Sequence, residues 1–282
     1  IEVGALFDTQ IAARFLGMKE TGLASLLKSQ MGITIEKKYQ KKDWSKRPLP
    51  EAMLSYAVQD ACYLISMARL LENELRLKGR LSWVEEECEL QSKVTPSQPD
   101  KRPLFVRFKG SRKLDRRSLA VLESVLRLRD EVARRRNLPP FKVLGSSPIM
   151  EIAQRKPETE ADLKTIKGIS PKRAESLAGP LLKRVQQALG QPEDSLPFFP
   201  KRTPRRIAPK ATKRGKALKG WREKRADDLE VDAAIVCTNS QIRSIAEENP
   251  KNVEHFGQID GIRNWQKEFF GQEICALLKR VQ

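Results

Sequence analysis

The sequence has a single histidine, His255, and four cysteines so far apart that no Cys-x-x-Cys occurs. A zinc site of the Cys/His type is therefore starved of ligands at usable spacing. A Ser-His-Asp or Cys-His centre would rest on His255 alone, which stands in a polar stretch and reads as a solvated side chain. No apolar run approaches the ~20 residues of a membrane-spanning helix, so membrane insertion is excluded. Hydrophobic residues are few, at 39%, against 32% charged, which favours small helical modules over one large core. Acid is scarce relative to base: 36 Asp and Glu against 54 Lys and Arg, a formal charge of +18. Such a balance favours a polyanionic partner through phosphate neutralisation, without separating RNA from DNA or an anionic membrane. Scattered free thiols fit a reducing compartment, so a cytoplasmic location is expected. Neither a signal peptide nor an initiator Met is present, and the chain opens on the strand-like "IEVGALFDTQ", as part of a longer protein would.

What is present divides into blocks. In residues 1–94, "ALFDT" reads as a short strand, with Asp8 or Thr9 capping the helix "QIAARFLG". Gly22 to Gly32 brackets a second helix, and "ITIEKKYQKKDWSKRPL" reads as a basic, irregular crossing. Pro50 and Glu51 suit the first turn of the next helix. A proline-bearing linker is expected over 95–112.

Beyond it the sequence repeats itself. A shift of 93 aligns Ala133 with Ala226, Val143 with Val236, Ile149 with Ile242, Pro157 with Pro250, and "IKGI" (166–169) with "IDGI" (259–262), without a gap. In each copy a long charged helix leads to a Ser-capped helix carrying Ile-x-x-Ile-Ala. The glycine of Ile-x-Gly-Ile then marks a turn before the last helix. Two homologous all-helical modules are predicted, at 113–190 and 218–282. The segment between them, 191–217, is read as a disordered basic tether whose prolines prevent a helix.

One carboxylate stands out. If 53–71 is a single helix, Met53, Leu54, Ala57, Ala61, Leu64, Ile65, Ala68 and Leu71 share its apolar face. Asp60 falls at the edge of that face, with Tyr56, Ala57, Tyr63 and Leu64 one turn away and no cation among them. A carboxylate placed there must recover its lost hydration from a metal, from donors or from a charge elsewhere in the fold, unless it simply reaches solvent at the rim.

These pieces together resemble the ribonuclease D family of DEDD 3′→5′ exonucleases. "LFDTQIAARFLG" is similar to that family's last core strand and following helix, and "YQKKDWSKRPL" to its Asp-Trp-x-x-Arg-Pro-Leu segment. "YAVQDACYL" matches the Tyr-x-x-x-Asp motif, and the repeats look like a tandem pair of HRDC domains (helicase and RNase D C-terminal). The resemblance implies a mostly α chain: the C-terminal part of an α/β ribonuclease H-like exonuclease domain, followed by two small helical HRDC-like domains. It implies a hydrolase that trims the 3′ ends of structured RNA such as tRNA precursors, with Asp60 a ligand in a two-metal Mg²⁺ or Mn²⁺ site and Tyr56 positioning the attacking water. A monomer is expected. The family pattern needs three further acids, an Asp-x-Glu pair and another Asp, and all three would precede Ile1; Asp228-Leu229-Glu230 is read as unrelated to catalysis. The chain alone is therefore expected to be inactive and to expose apolar surface in its first block.

Lys41, Lys42, Trp44 and Arg47 in the crossing, with Arg134 and Arg135 in the first repeat, are candidate nucleic-acid contacts by phosphate pairing and stacking. For Trp44 and Arg47 a structural role is favoured, the indole buried and the guanidinium anchoring the crossing. Trp221 and Trp265 read as core. Two other readings stand beside the exonuclease: a non-catalytic HRDC protein that binds nucleic acid, and the tail of a RecQ-like helicase. The Tyr-x-x-x-Asp block argues against the latter.

Overall fold

The computed structural model describes residues 3–95, 102–200 and 208–281. Among them every regular element is helical. The first block forms α1 (Thr9–Phe15), α2 (Leu23–Met31), α3 (Glu51–Cys62), α4 (Leu64–Leu77) and α5 (Leu81–Ser92). The first repeat forms α6 (Arg116–Arg135), α7 (Pro140–Val143), α8 (Ser146–Arg155), α9 (Glu160–Lys164) and α10 (Pro171–Leu189). The second repeat forms α11 (Pro209–Leu229), α12 (Ala233–Val236), α13 (Asn239–Glu248) and α14 (Asn264–Arg280).

The 93-residue register holds at the level of whole elements. α6, α7, α8 and α10 begin 93 residues before α11, α12, α13 and α14, while the place of α9 is taken by a 3-10 turn, Glu254–Gln258. Among the described residues, the four non-glycine residues with positive φ are two equivalent pairs, Asn137 with Glu230 and Lys156 with Asn249. Gly168 and Gly261, the glycines of Ile-x-Gly-Ile, are a third left-handed pair. Short-range turn chemistry, repeated in sequence, has produced the same backbone twice.

The chain divides into two compact units, one of Ile1–Pro96 with Arg205–Gln282 and one of Ser97–Pro204. The first block and the second repeat thus share one core. Its centre is aromatic: Trp83 of α5 stacks on Trp265 of α14 at 4.6 Å, and Phe15 of α1 meets Trp265 edge-on at 5.6 Å. Burying each such ring is worth roughly 1.5–3 kcal/mol, with ~1 kcal/mol more per ring pair. Trp265 is core as expected; Trp221 is half-buried, edge-on to Phe270 at 5.3 Å.

Polar atoms fasten the two parts. The Arg80 guanidinium, buried, donates to the Phe15 carbonyl and to the Leu229 carbonyl, each at 2.8 Å. The Glu86 carboxylate accepts from the Asn264 and Trp265 amides at 2.8 and 3.0 Å, so a side chain of α5 caps α14. An anion at that end also meets the positive pole of the helix. Glu87 accepts from Arg263 Nε at 2.8 Å beside it. Gly17, at φ +81°, lets α1 approach so closely that a Cβ there would lie 2.0 Å from the Glu230 carbonyl oxygen.

The second unit has its own core, built on Leu122, Leu126, Ile149, Ile152 and Val185. Leu104–Arg107 and Ser111–Lys113 are 3-10 turns, with Phe105 buried in that core. The segment after α10 folds back too: Arg116 donates to the carbonyls of Glu193 and Leu196, and Leu196 is buried.

Several expectations need correction. "ALFDT" forms no strand, because a strand needs a partner and none is formed among the described residues; Asp8 instead caps α1, accepting from the Gln10 and Ile11 amides. The helix expected through 53–71 breaks at Tyr63, and the buried row is Met53 followed by Met67, Leu71 and Leu75. Leu54, Val58, Leu64 and Ile65 are exposed, the last at 68%, so the first block does present apolar surface. The basic stretch called a tether is helical from Pro209 onward; its part at 201–207 lies outside the described residues. Pro209 occupies the first turn, where a missing N–H removes no helical bond. The Ser expected to cap the Ile-x-x-Ile-Ala helices is not the cap, which is Gly145 in one copy and Thr238 in the other.

Candidate active site

Helix α3 starts at Glu51 after Pro50, whose fixed φ of −59° suits a helix entry. It places Tyr56 and Asp60 one turn apart on one face, both half-buried. Partial desolvation, then the negative charge of Asp60 and a hydrogen bond to it, push the Tyr56 phenol above its ordinary value. The phenol is therefore a proton-bearing donor throughout the neutral range, held against a carboxylate.

The basic crossing packs its aromatic residues over this pair. Tyr39 meets the Tyr56 ring edge-on with centroids 6.0 Å apart, and Trp44 lies tilted against it, also at 6.0 Å. The Trp44 indole N–H donates to the Tyr39 carbonyl at 3.2 Å, which closes the loop on itself. Trp44 is half-buried, not buried as expected. Arg47 is exposed and donates to the carbonyls of Trp44 and Lys46 at 2.8 and 2.9 Å, an anchoring geometry within the crossing. Lys41 and Lys42 are exposed in the turn closed by the Lys42 amide on the Tyr39 carbonyl, at 3.0 Å. Lys38 sits 5.5 Å from the Tyr39 ring centre, within cation–π range. The rings of Tyr39 and Trp44 thus lie against Tyr56, one helical turn from Asp60, on a crossing that also carries exposed lysines. Lys38 belongs with Lys37, Lys41 and Lys42 to a basic strip legible in the sequence, whereas Tyr39 was not expected at the site; the aromatic spacing of "YQKKDW" was the available signal.

Arg134 and Arg135 belong to the other compact unit, exposed on the last turn of α6. Asp228 and Glu230 stand at the end of α11, where Asp228 pairs with Arg225 at 2.8 Å. His255 is exposed.

A family model described as 3′-5′ exonuclease matches residues 1–76, and one described as HRDC domain matches 118–185 and again 211–278. The ribonuclease D of Gluconacetobacter diazotrophicus is 30% identical over 281 residues, covering 97% of this chain and 68% of that protein. The chain belongs to the ribonuclease D family. The ribonuclease D of Zymomonas mobilis is likewise 30% identical, with 97% and 69% of the two chains covered.

Solved structures agree with this family. A protein from Bifidobacterium adolescentis aligns with a TM-score of 0.79 and 26% identity, over 97% of this chain and 73% of that one. RNase D of Escherichia coli, described as an exoribonuclease involved in structured RNA processing, aligns at 0.63 and 25% identity, over 98% of this chain and 73% of that one. Membership in the ribonuclease D family places the chain among the 3′→5′ exoribonucleases, which are hydrolases acting on RNA and dependent on divalent metal.

The residues here do not by themselves fit a metal centre. Among the described residues no group of three or more His, Cys, Asp and Glu side chains is placed to hold an ion. Hard divalent cations need several oxygen ligands, and Asp60 offers one carboxylate. No described helix is long and apolar enough to cross a membrane.

Proposed function

We propose that the chain serves 3′→5′ trimming of structured RNAs, tRNA precursors among them, by phosphodiester hydrolysis, with Tyr56 and Asp60 at the reacting end. The observation that carries this reading is the pair itself: a phenol and a carboxylate one turn apart on one face of a helix, both half-buried, with the rings of Tyr39 and Trp44 against the phenol. Asp60 is assigned as one carboxylate ligand for Mg²⁺ or Mn²⁺ in a two-metal centre, whose further acids the described residues do not bring to it. Tyr56, keeping its proton, orients the group that attacks the terminal phosphodiester. Trp44 and Tyr39 offer flat faces for an end nucleotide, and Lys41, Lys42 and Arg47 offer charge to its phosphates. The HRDC repeats, with Arg134 and Arg135 in the first, hold the body of the RNA. The enzyme acts as a cytoplasmic monomer in this reading.

The test is loss of a 3′ label from a tRNA precursor with Mg²⁺ or Mn²⁺. It uses the 282 residues alone and a form extended to the length of the curated relatives. The extended enzyme is expected to trim, and EDTA or Asp60→Ala to stop it. The 282 residues are expected to bind the RNA and leave it intact. Trimming unchanged by Asp60→Ala would sink the assignment of the site.

A further inference from the structure

The two HRDC repeats are alike in backbone and opposite in what they do with one groove. In the first, the face between α6 and α8 is filled. Leu119, Leu122 and Leu126 of α6 are buried, none more than 3% exposed, beneath the segment that carries Phe105. The Phe105 amide donates to Glu123 at 3.0 Å, and Met150 of α8 lies against Gly110, where a Cβ would stand 3.1 Å from its methyl. The groove is apolar and closed by the protein's own chain.

Ninety-three residues on, the same positions read Thr212, Gly215, Lys216, Lys219 and Arg243 in place of Leu119, Leu122, Glu123, Leu126 and Met150. Each leucine on that face is replaced by something small or charged, and the acid becomes a base. What results is an open groove of about 440 Å³ between α11 and α13. Its floor is small and buried (Ala211, Ile242, Ala246), while Thr212, Lys216, Lys219, Asn239 and Arg243 are exposed along its two walls. Three cations face one carboxylate, Glu247. Residues at 212, 216 and 219 share one side of α11, and those at 239 and 243 one side of α13, by helical spacing, and the packing of the two helices sets both sides on one groove.

We propose that this groove of the second repeat binds the phosphodiester backbone of single-stranded RNA, while the corresponding face of the first repeat is an apolar seam that binds none. Cations on opposite walls of a narrow trough suit a chain of phosphates better than a single anion. The small floor lets a sugar-phosphate backbone sink between the helices. The Thr212 hydroxyl donates to the Ala208 carbonyl and the Asn239 amide oxygen accepts from Arg222, which leaves the Thr212 oxygen as an acceptor and the Asn239 amide N–H as a donor for a 2′-hydroxyl. The assignment rests on the reading of RNA as the substrate, and names where in the chain that RNA is held.

The experiment gives the second repeat the residues of the first. Fluorescence anisotropy of a labelled unstructured 20-nucleotide RNA is measured over a salt series, in EDTA, with the 282-residue chain and with Lys216→Glu/Lys219→Leu/Arg243→Met. Lys167→Glu/Lys172→Glu, on exposed lysines of the first repeat, makes an equal change in net charge and serves as control. Loss of three phosphate contacts should lower the salt slope by about 2 and weaken binding ~10-fold or more, with the control well short of both. Gly215→Leu is the second variant: it narrows the groove without changing charge, and should also weaken binding while the melting curve stays cooperative. Equal losses in groove variant and control, with Gly215→Leu binding like wild type, would overturn the groove. A wild-type chain that binds DNA of the same sequence as well as RNA would overturn the RNA assignment. If it bound neither, the groove and the RNA reading would fall together. Loss of trimming activity alone, with the groove effect intact, would fall only on the catalytic reading.

Discussion

Arg80 donates a 2.8 Å hydrogen bond to the carbonyl oxygen of Leu229, 149 residues away in sequence. The same guanidinium holds the Phe15 carbonyl, so one buried cation closes the ends of α1 and α11 together. Charge-assisted hydrogen bonds contribute about 1.5–3 kcal/mol each, and stranding buried carbonyls costs more than leaving them solvated. Arg80→Met is expected to destabilise this unit by about 3–6 kcal/mol in urea. Trp83 and Trp265 report the change by fluorescence as their stack opens. A loss below 1 kcal/mol would show that the two carbonyls find water instead.

Gly17 and Gly79 separate strain from collision. Both have positive φ, +81° and +64°, but a Cβ at Gly79 meets nothing within 4 Å, while one at Gly17 meets the Glu230 oxygen at 2.0 Å. Gly79→Ala should cost roughly 1–2 kcal/mol, the left-handed penalty alone. Gly17→Ala adds an overpacking cost of about 1–3 kcal/mol. Thermal melts of the pair compare them directly; equal shifts would mean that α1 can retreat from α11 freely.

The thiols should divide by burial. Cys62 is exposed, and Cys88, Cys237 and Cys275 are buried. A thiol reagent at pH 8 is expected to modify one cysteine quickly in the native protein and the other three only in denaturant. Burial pushes the Cys237 thiol from 9.0 up to about 12, against a smaller opposing pull from Arg222. A folded-state pKa above the unfolded one contributes stability that is full below about pH 9 and is lost as pH rises toward 12. That loss reaches ~4 kcal/mol at most. Cys237→Ala should flatten the stability profile between pH 9 and 12, which urea titrations at several pH values would read.

Tyr56 and Asp60 should differ in how they fail. In the extended enzyme, Asp60→Asn is expected to abolish metal-dependent trimming, whereas Tyr56→Phe keeps the ring under Trp44 and loses only the hydroxyl. Removing one positioned proton-bearing group costs on the order of 10²-fold in kcat. Single-turnover kinetics on a labelled RNA separate this from weaker binding. Equal activity of Tyr56→Phe and wild type would remove the phenol from the chemistry.

The sequence by itself determined several features that depend on near neighbours. The Asp8 cap, the helix between Gly22 and Gly32, the entry at Pro50, and two modules in one 93-residue register are all readable from residues a few places apart. So was the Tyr56–Asp60 pair, because a motif of four-residue spacing on a helix fixes its own geometry. Tertiary structure alone decided which faces are covered. The wheel put Leu54, Leu64 and Ile65 on one buried face with Met53 and Leu71, yet burial needs a partner surface: Met53 and Leu71 have one, as do Met67 and Leu75, while the other three are exposed. Nor could the spacing of residues show that the second repeat, not the first, shares its core with the opening block. That choice is made by Arg80, Glu86 and the Trp83–Trp265 stack, contacts between residues more than 140 apart, whose closure no local pattern encodes.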